Sequence, residues 1–145
     1  MDQTSLTGGR VLGLDLGDVR IGVAISDPER RLAVPMGTVR TGAPADLKAI
    51  ADLVRTHGIT LVVVGHPLLL SGEVGTRARH AEAFADALRS FLGVEVVLHD
   101  ERLSTVEAER ALREAGAKGR DRRRAVDRSA ATVILQAYLD GLSRA

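Results

Sequence analysis

The sequence predicts an α/β fold built on a five-stranded mixed sheet flanked by helices. Two observations predict it. The first forty residues hold three strand-like segments separated only by turn residues. The rest alternates single apolar strands with stretches at helical spacing. The resulting order, β-β-β-α-β-α-β-α-α, is a meander followed by βαβ units, which mixes antiparallel and parallel pairing in one sheet. A length of 145 residues suits a single domain.

Each element has a local reason. Gly8-Gly9 ends a polar arm over residues 1–9, expected to be flexible, and residues 10–142 are expected to form the domain. Arg10 to Leu16 reads as a short buried strand, closed by the turn signal Gly17-Asp18. Arg20 to Ser26 reads as its antiparallel partner. After the turn Asp27-Pro28-Glu29-Arg30, Ala33 to Thr41 is a weaker strand that Pro35 assigns to an edge. Leu47, Ile50, Ala51 and Val54 then recur at helical spacing over Ala45 to His57, with Gly58 as a stop. Thr60 to Val64 is a continuous apolar run, the mark of a central parallel strand. Residues 66–75 read as a loop. A helix follows from Thr76 to Leu92, with Ala81, Phe84, Ala85 and Leu88 inward, and Gly93 stops it. Val94 to His99 is the fifth strand. Ser104-Thr105-Val106-Glu107 has capping-box form and opens a helix to Ala115. A basic loop spans Gly116 to Arg124. The last helix is expected over Ala125 to Leu142, with Val126, Ala130, Val133, Ile134, Ala137 and Tyr138 on its inner face.

The composition, 45% hydrophobic and 27% charged, is that of a globular chain with a real core. No apolar run is long enough to span a bilayer, and the polar start lacks the pattern of a secretory signal, so a cytoplasmic location is expected. The absence of cysteine rules out disulfides and thiolate metal sites. Aromatic residues are limited to Phe84, Phe91 and Tyr138, too few for a base-stacking platform, so any nucleic acid would be held through its phosphates. The net charge of +1 hides an uneven distribution. Lys118, Arg120, Arg122, Arg123, Arg124 and Arg128 form a basic run opposed only by Asp121 and Asp127. It is either a phosphate-binding patch or a solvated face.

Three carboxylates stand out, two of them at strand-like segments where carboxylates are depleted. Asp15 interrupts the first apolar strand, Glu101 follows the fifth, and Asp127 opens the final apolar stretch. Buried carboxylates are costly unless paired or bound to a cation. If they converge, they suit a hard divalent cation, and such sites act on phosphates. The alternatives are an Asx turn at Asp15, an exposed loop acid at Glu101 and a helix-start acid at Asp127. The strand from Thr60 is expected between the first and fifth, putting Asp15 and Glu101 two strand spacings apart, about 10 Å between backbones. Spacing leaves open whether Asp100 or Glu101 points inward. Arg20 either meets a phosphate or pairs with Asp18. His66 and His99 flank the site, with hydrogen-bonded structural roles expected.

Four segments in order resemble the YqgF/RuvX family: Leu14 to Asp27, Val63-Val64-Gly65-His66-Pro67, Asp100 to Thr105 with Glu107-Ala108, and Val126-Asp127 with Ser129-Ala130-Ala131 and Ile134-Leu135-Gln136. The likeness runs from Arg10 to Leu142. It implies an RNase H-like fold related to the junction resolvase RuvC. It implies a nuclease role in maturing the 5′ end of pre-16S rRNA, with some members regarded as Holliday junction resolvases. It also makes Asp15, Glu101 and Asp127 the acidic cluster, holding Mg²⁺ or Mn²⁺, as two ions, with Asp100 able to share the role of Glu101. Arg20, Lys118, Arg120, Arg122, Arg123 and Arg124 would then hold structured RNA or branched DNA. The family commonly has Gly-Leu-Pro, then Asn and Asp-Gly, where this chain has Gly65-His66-Pro67 with Leu69 and Ser71. A homodimer would suit a two-fold junction, whereas RNA trimming needs only a monomer. Rival readings are an ATPase with a related core, disfavoured by length, and a binding module without catalysis, disfavoured because all three acids are present.

Overall fold

The computed structural model describes residues 8–69, 71–102 and 129–143. The elements are β1 (Arg10–Leu16), β2 (Arg20–Ser26), β3 (Ala33–Arg40), α1 (Ala45–His57), β4 (Ile59–His66), α2 (Thr76–Leu92), β5 (Glu95–Asp100) and α3 (Ala130–Ser143). Of the expected arm, only Gly8 and Gly9 are described. The helix expected from Ser104 to Ala115 and the basic loop after it lie outside the described residues.

The five strands form one sheet in the order β3-β2-β1-β4-β5. β1 pairs antiparallel with β2 and parallel with β4, and β4 pairs parallel with β5. This is the mixed sheet expected, with β4 between β1 and β5. The central strands are covered on both faces. Val62, Val63 and Val64 are fully buried, as are Val11, Leu12 and Leu14, which is why these strands read as apolar runs rather than alternating ones. Leu12, Leu14, Val62 and Val64 pack with Ile50, Val54, Phe84 and Leu88 of α1 and α2. Val11, Leu61 and Val63 pack with Ala131, Ile134, Leu135 and Leu139 of α3. The sheet therefore lies between two helical layers. Gly58 and Gly93 close α1 and α2 in the left-handed conformation that makes glycine a helix stop.

β3 ends at Arg40, β4 begins at Ile59 and the last helix ends at Ser143, each one residue from expectation, and three differences are larger or more telling. β4 runs on through Gly65 and His66, because its pairing with β5 continues to His66↔Asp100 where the Gly-His-Pro sequence suggested a loop. β5 is shifted by one residue, to Glu95–Asp100. The last helix does not run unbroken from Ala125: Ser129 lies outside it. The Ser129 hydroxyl accepts the Thr132 backbone N–H at 3.1 Å, the geometry of an N-cap. The inner face of this helix also differs. Ala131, Ile134, Leu135 and Leu139 are buried, whereas Ala130 is exposed. Its sequence is apolar almost all round, so periodicity alone could not fix its phase.

Candidate active site

β1, β4 and β5 run parallel, so their carboxyl ends meet at one edge of the sheet, the usual place for sites in α/β folds. Side chains alternate along a strand. Val11 and Val97 face α3. Alternation then puts Asp15, four residues after Val11, on that same face; Glu101, the first residue past β5, brings its carboxylate there beside Ile134 of α3. Asp15 pairs across with Gly22 of β2, where a Cβ would lie 3.7 Å from Asp15 Cβ and 3.6 Å from Ala131 Cβ. The first turn of α3 is therefore next to Asp15.

Between the two acids, β4 presents Gly65. A Cβ there would come within 2.7 Å of Glu101 Oε2 and 2.8 Å of Ile134 Cδ1. The Glu101 carboxylate thus lies across the bare backbone of the intervening strand, reaching back toward β1. This shortens the two-strand gap that separates the backbones.

The electrostatics match this closeness. Burial pushes the Asp15 carboxyl above its ordinary range, with the Arg77 guanidinium opposing. Glu101 is pushed up to about 6, first by burial and then by the Asp15 charge, with Arg77 and His66 opposing and Asp100 adding to the rise. Asp100 behaves in the opposite way. Arg102 donates to it from Nε at 3.0 Å, from Nη2 at 2.6 Å and from its backbone N–H at 3.0 Å. These bonds hold the Asp100 carboxyl below its usual range. Of the adjacent pair, Asp100 is committed to an arginine and Glu101 faces Asp15.

The other expected residues are placed as follows. Arg20 opens β2 opposite Arg40, is exposed, and makes no ion pair with Asp18 among the described residues. His66 Nε2 lies 2.8 Å from Glu82 Oε2, tying the end of β4 to α2. His99 meets Tyr138 edge-on at 6.0 Å, and burial lowers its pKa. Asp127, Lys118, Arg120, Arg122, Arg123 and Arg124 lie outside the described residues. Among the described residues, no cluster of three or more His, Cys, Asp or Glu is arranged to hold a metal.

A cleft of about 230 Å³ opens at this edge, walled by Asp18, Gly65 and Glu101 on one side and Thr76, Arg77 and His80 of α2 on the other. A second hollow of about 250 Å³ adjoins it past His80 and Leu16, with Ile21 and Phe84 in its wall. Sequence reasoning missed Gly65, Arg77 and His80. One signal could have found Arg77. It is a cation in the first turn of a helix, where the dipole disfavours positive charge, and no acid accompanies it.

The chain is similar to known proteins over nearly its whole length. The sequence profile of the RuvX family, described as Holliday junction resolvase, matches residues 9–141. A protein of Anaeromyxobacter dehalogenans (strain 2CP-C) named "Putative pre-16S rRNA nuclease" is 51% identical over 132 residues, covering 90% of this chain and 96% of that one. One of the same name from Roseiflexus sp. (strain RS-1) is 44% identical over 133 residues, covering 91% and 94%. Among solved structures, Thermus thermophilus RuvC in complex with a Holliday junction substrate superposes with a TM-score of 0.57 at 17% identity, covering 94% of this chain and 97% of RuvC, which shows the shared RNase H-like fold. With a family profile spanning nearly its whole length and relatives near half identity over the same span, the chain belongs to the RuvX family.

Proposed function

We propose that this protein is a divalent-metal-dependent endonuclease that hydrolyses phosphodiester bonds in structured RNA, and that 5′-end processing of pre-16S rRNA is its role in the cell. The observation that carries the reading is the pairing of Asp15 and Glu101 over the Gly65 backbone at the carboxyl edge of the sheet. The names borne by relatives of 51% and 44% identity supply the substrate. A second reading, cleavage of branched DNA, draws on the family description and on the fold shared with a junction-bound RuvC.

The site fits a hard cation. Two carboxylates are drawn together at a partly buried edge, and each would be relieved by positive charge there. Asp15 and Glu101 would hold the metal, with Asp127 as the third acid the family pattern supplies. Mg²⁺ or Mn²⁺, held there as a pair, would supply acidification of an attacking water and stabilisation of the leaving oxygen. The protein residues orient. Gly65 keeps Glu101 against the strand, and Arg102 holds Asp100 away. The basic run from Lys118 to Arg124, with Arg20, would position the backbone without reading sequence. No described helix is long and apolar enough to cross a membrane, and a cytoplasmic location is part of this proposal.

The test is cleavage of a pre-16S 5′-leader RNA and of a four-way DNA junction with Mg²⁺ or Mn²⁺, beside Asp15→Asn. The wild type should cut the RNA and the variant should lose on the order of 10³-fold in rate. Equal products from the two proteins would refute the metal-site reading, and cutting of the junction alone would transfer the assignment to the second reading.

A further inference from the structure

We propose that Arg77 is a further catalytic residue of this site, gripping the phosphate under attack from the wall opposite Asp15 and Glu101. The inference rests on the nuclease reading above.

Arg77 and Glu101 line the same cleft from opposite elements, α2 and the end of β5. The Arg77 charge acts on both Asp15 and Glu101. Yet among the described residues Arg77 enters no hydrogen bond or ion pair. An arginine in the last turn of the same helix behaves otherwise: Arg89 donates to Asp86 at 2.6 Å and to the Val96 carbonyl at 3.0 Å. Arg77 thus faces Glu101 across the cleft rather than closing on it, with its charge also felt at Asp15. A group that is cationic on one side and anionic on the other fits that space, and a metal-bound phosphodiester is such a group.

The position of Arg77 is also one that helix stability would avoid. It lies in the first turn of α2, there is no acid in that turn, and Gly75 supplies no side-chain cap. Residues that break a local rule tend to mark function. A guanidinium can give two parallel N–H bonds to two phosphate oxygens. Those oxygens gain charge as the water oxygen forms the new P–O bond and the bridging P–O bond breaks. The proton lost by water balances the one taken up by the leaving oxygen, and Arg77 transfers none.

The test compares Arg77→Ala and Arg77→Lys with the wild type in two measurements: single-turnover cleavage of the leader RNA, and Mn²⁺ binding to the protein without nucleic acid. Arg77 is exposed, so both variants should fold. Arg77→Ala should cleave about 10²-fold more slowly. Its Mn²⁺ affinity should rise a few-fold, because a like charge has left the cleft. Arg77→Lys should recover part of the rate, since it keeps the charge and loses the fork. Wild-type cleavage with an unimpaired Arg77→Ala would overturn the role of Arg77 alone. Slow cleavage together with weakened Mn²⁺ binding would reduce Arg77 to a support for the acids. A wild type that cleaves neither RNA nor junction would overturn the nuclease reading and this inference with it.

Discussion

The two ends of the sheet are built on opposite principles. At the amino end of β1 and β4, polar groups are matched. Arg30 donates to the carbonyls of Gly9 at 2.9 Å and Gly8 at 3.2 Å, and to Thr60 Oγ1 at 2.9 Å. The Ser26 hydroxyl accepts the Val11 N–H at 2.8 Å. Gln136 of α3 accepts from the Ala33 N–H at 2.9 Å and donates to the Arg31 carbonyl at 3.0 Å. Asp27 accepts backbone N–H groups from Leu32 and Arg31, which hold its carboxyl below the usual range. At the carboxyl end, Asp15 and Glu101 are both held above their ordinary range, and Arg77 stands off from them. One end secures the fold. The other keeps charges in tension that a ligand would relieve.

Mutations at the two ends should therefore separate activity from stability. Beyond the acids themselves, a large effect is expected at Gly65. An added methyl meets the tip of Glu101 and the end of Ile134, both able to shift, so Gly65→Ala should fold while moving the carboxylate. Cleavage should drop about 10²-fold, the scale of one lost transition-state contact, with the unfolding midpoint little changed. A rate within a few-fold of wild type would show that Glu101 need not lie against β4. At the other end, Arg30→Ala removes three hydrogen bonds from one charged group and should cost about 2 kcal/mol in chemical denaturation, with full activity in the folded protein. A fall in activity without a fall in stability would erase the division between the ends.

The smallest effect concerns Glu101 in metal-free protein. Its folded-state carboxyl is raised from 4.5 to about 6, so the native state holds the proton more tightly than the unfolded chain. That costs nothing below pH 4.5, and stability falls as pH rises through 6. Glu101→Gln should thus be stabilising by about 1 kcal/mol at pH 7.5, after allowing for solvent screening, and neutral near pH 4.5. Thermal melts at the two pH values would check this, and a variant no more stable at pH 7.5 would contradict it.

Much of this was legible in the chain. β1, β2, α1 and α2 could be bounded because glycine or proline punctuates them and their apolar periods are clear. The end of β4 was not, because Gly-His-Pro looks like a loop until β5 pairs with it. Asp15 and Glu101 stood out as acids at strand ends. The choice between Asp100 and Glu101 needed the fold, since it depends on Arg102 turning back onto Asp100. Gly65 and Arg77 matter only through tertiary approach: one by what it lacks beside Glu101, the other by the cleft that its helix overlooks.

The bond between His66 and Glu82 has a mechanical consequence. His66 adjoins Gly65 on one jaw of the cleft, and Glu82 lies little more than one turn beyond Arg77 on the other. A contact of 2.8 Å joins the two elements next to the cleft. The tie restrains how far the end of β4 and the start of α2 can part.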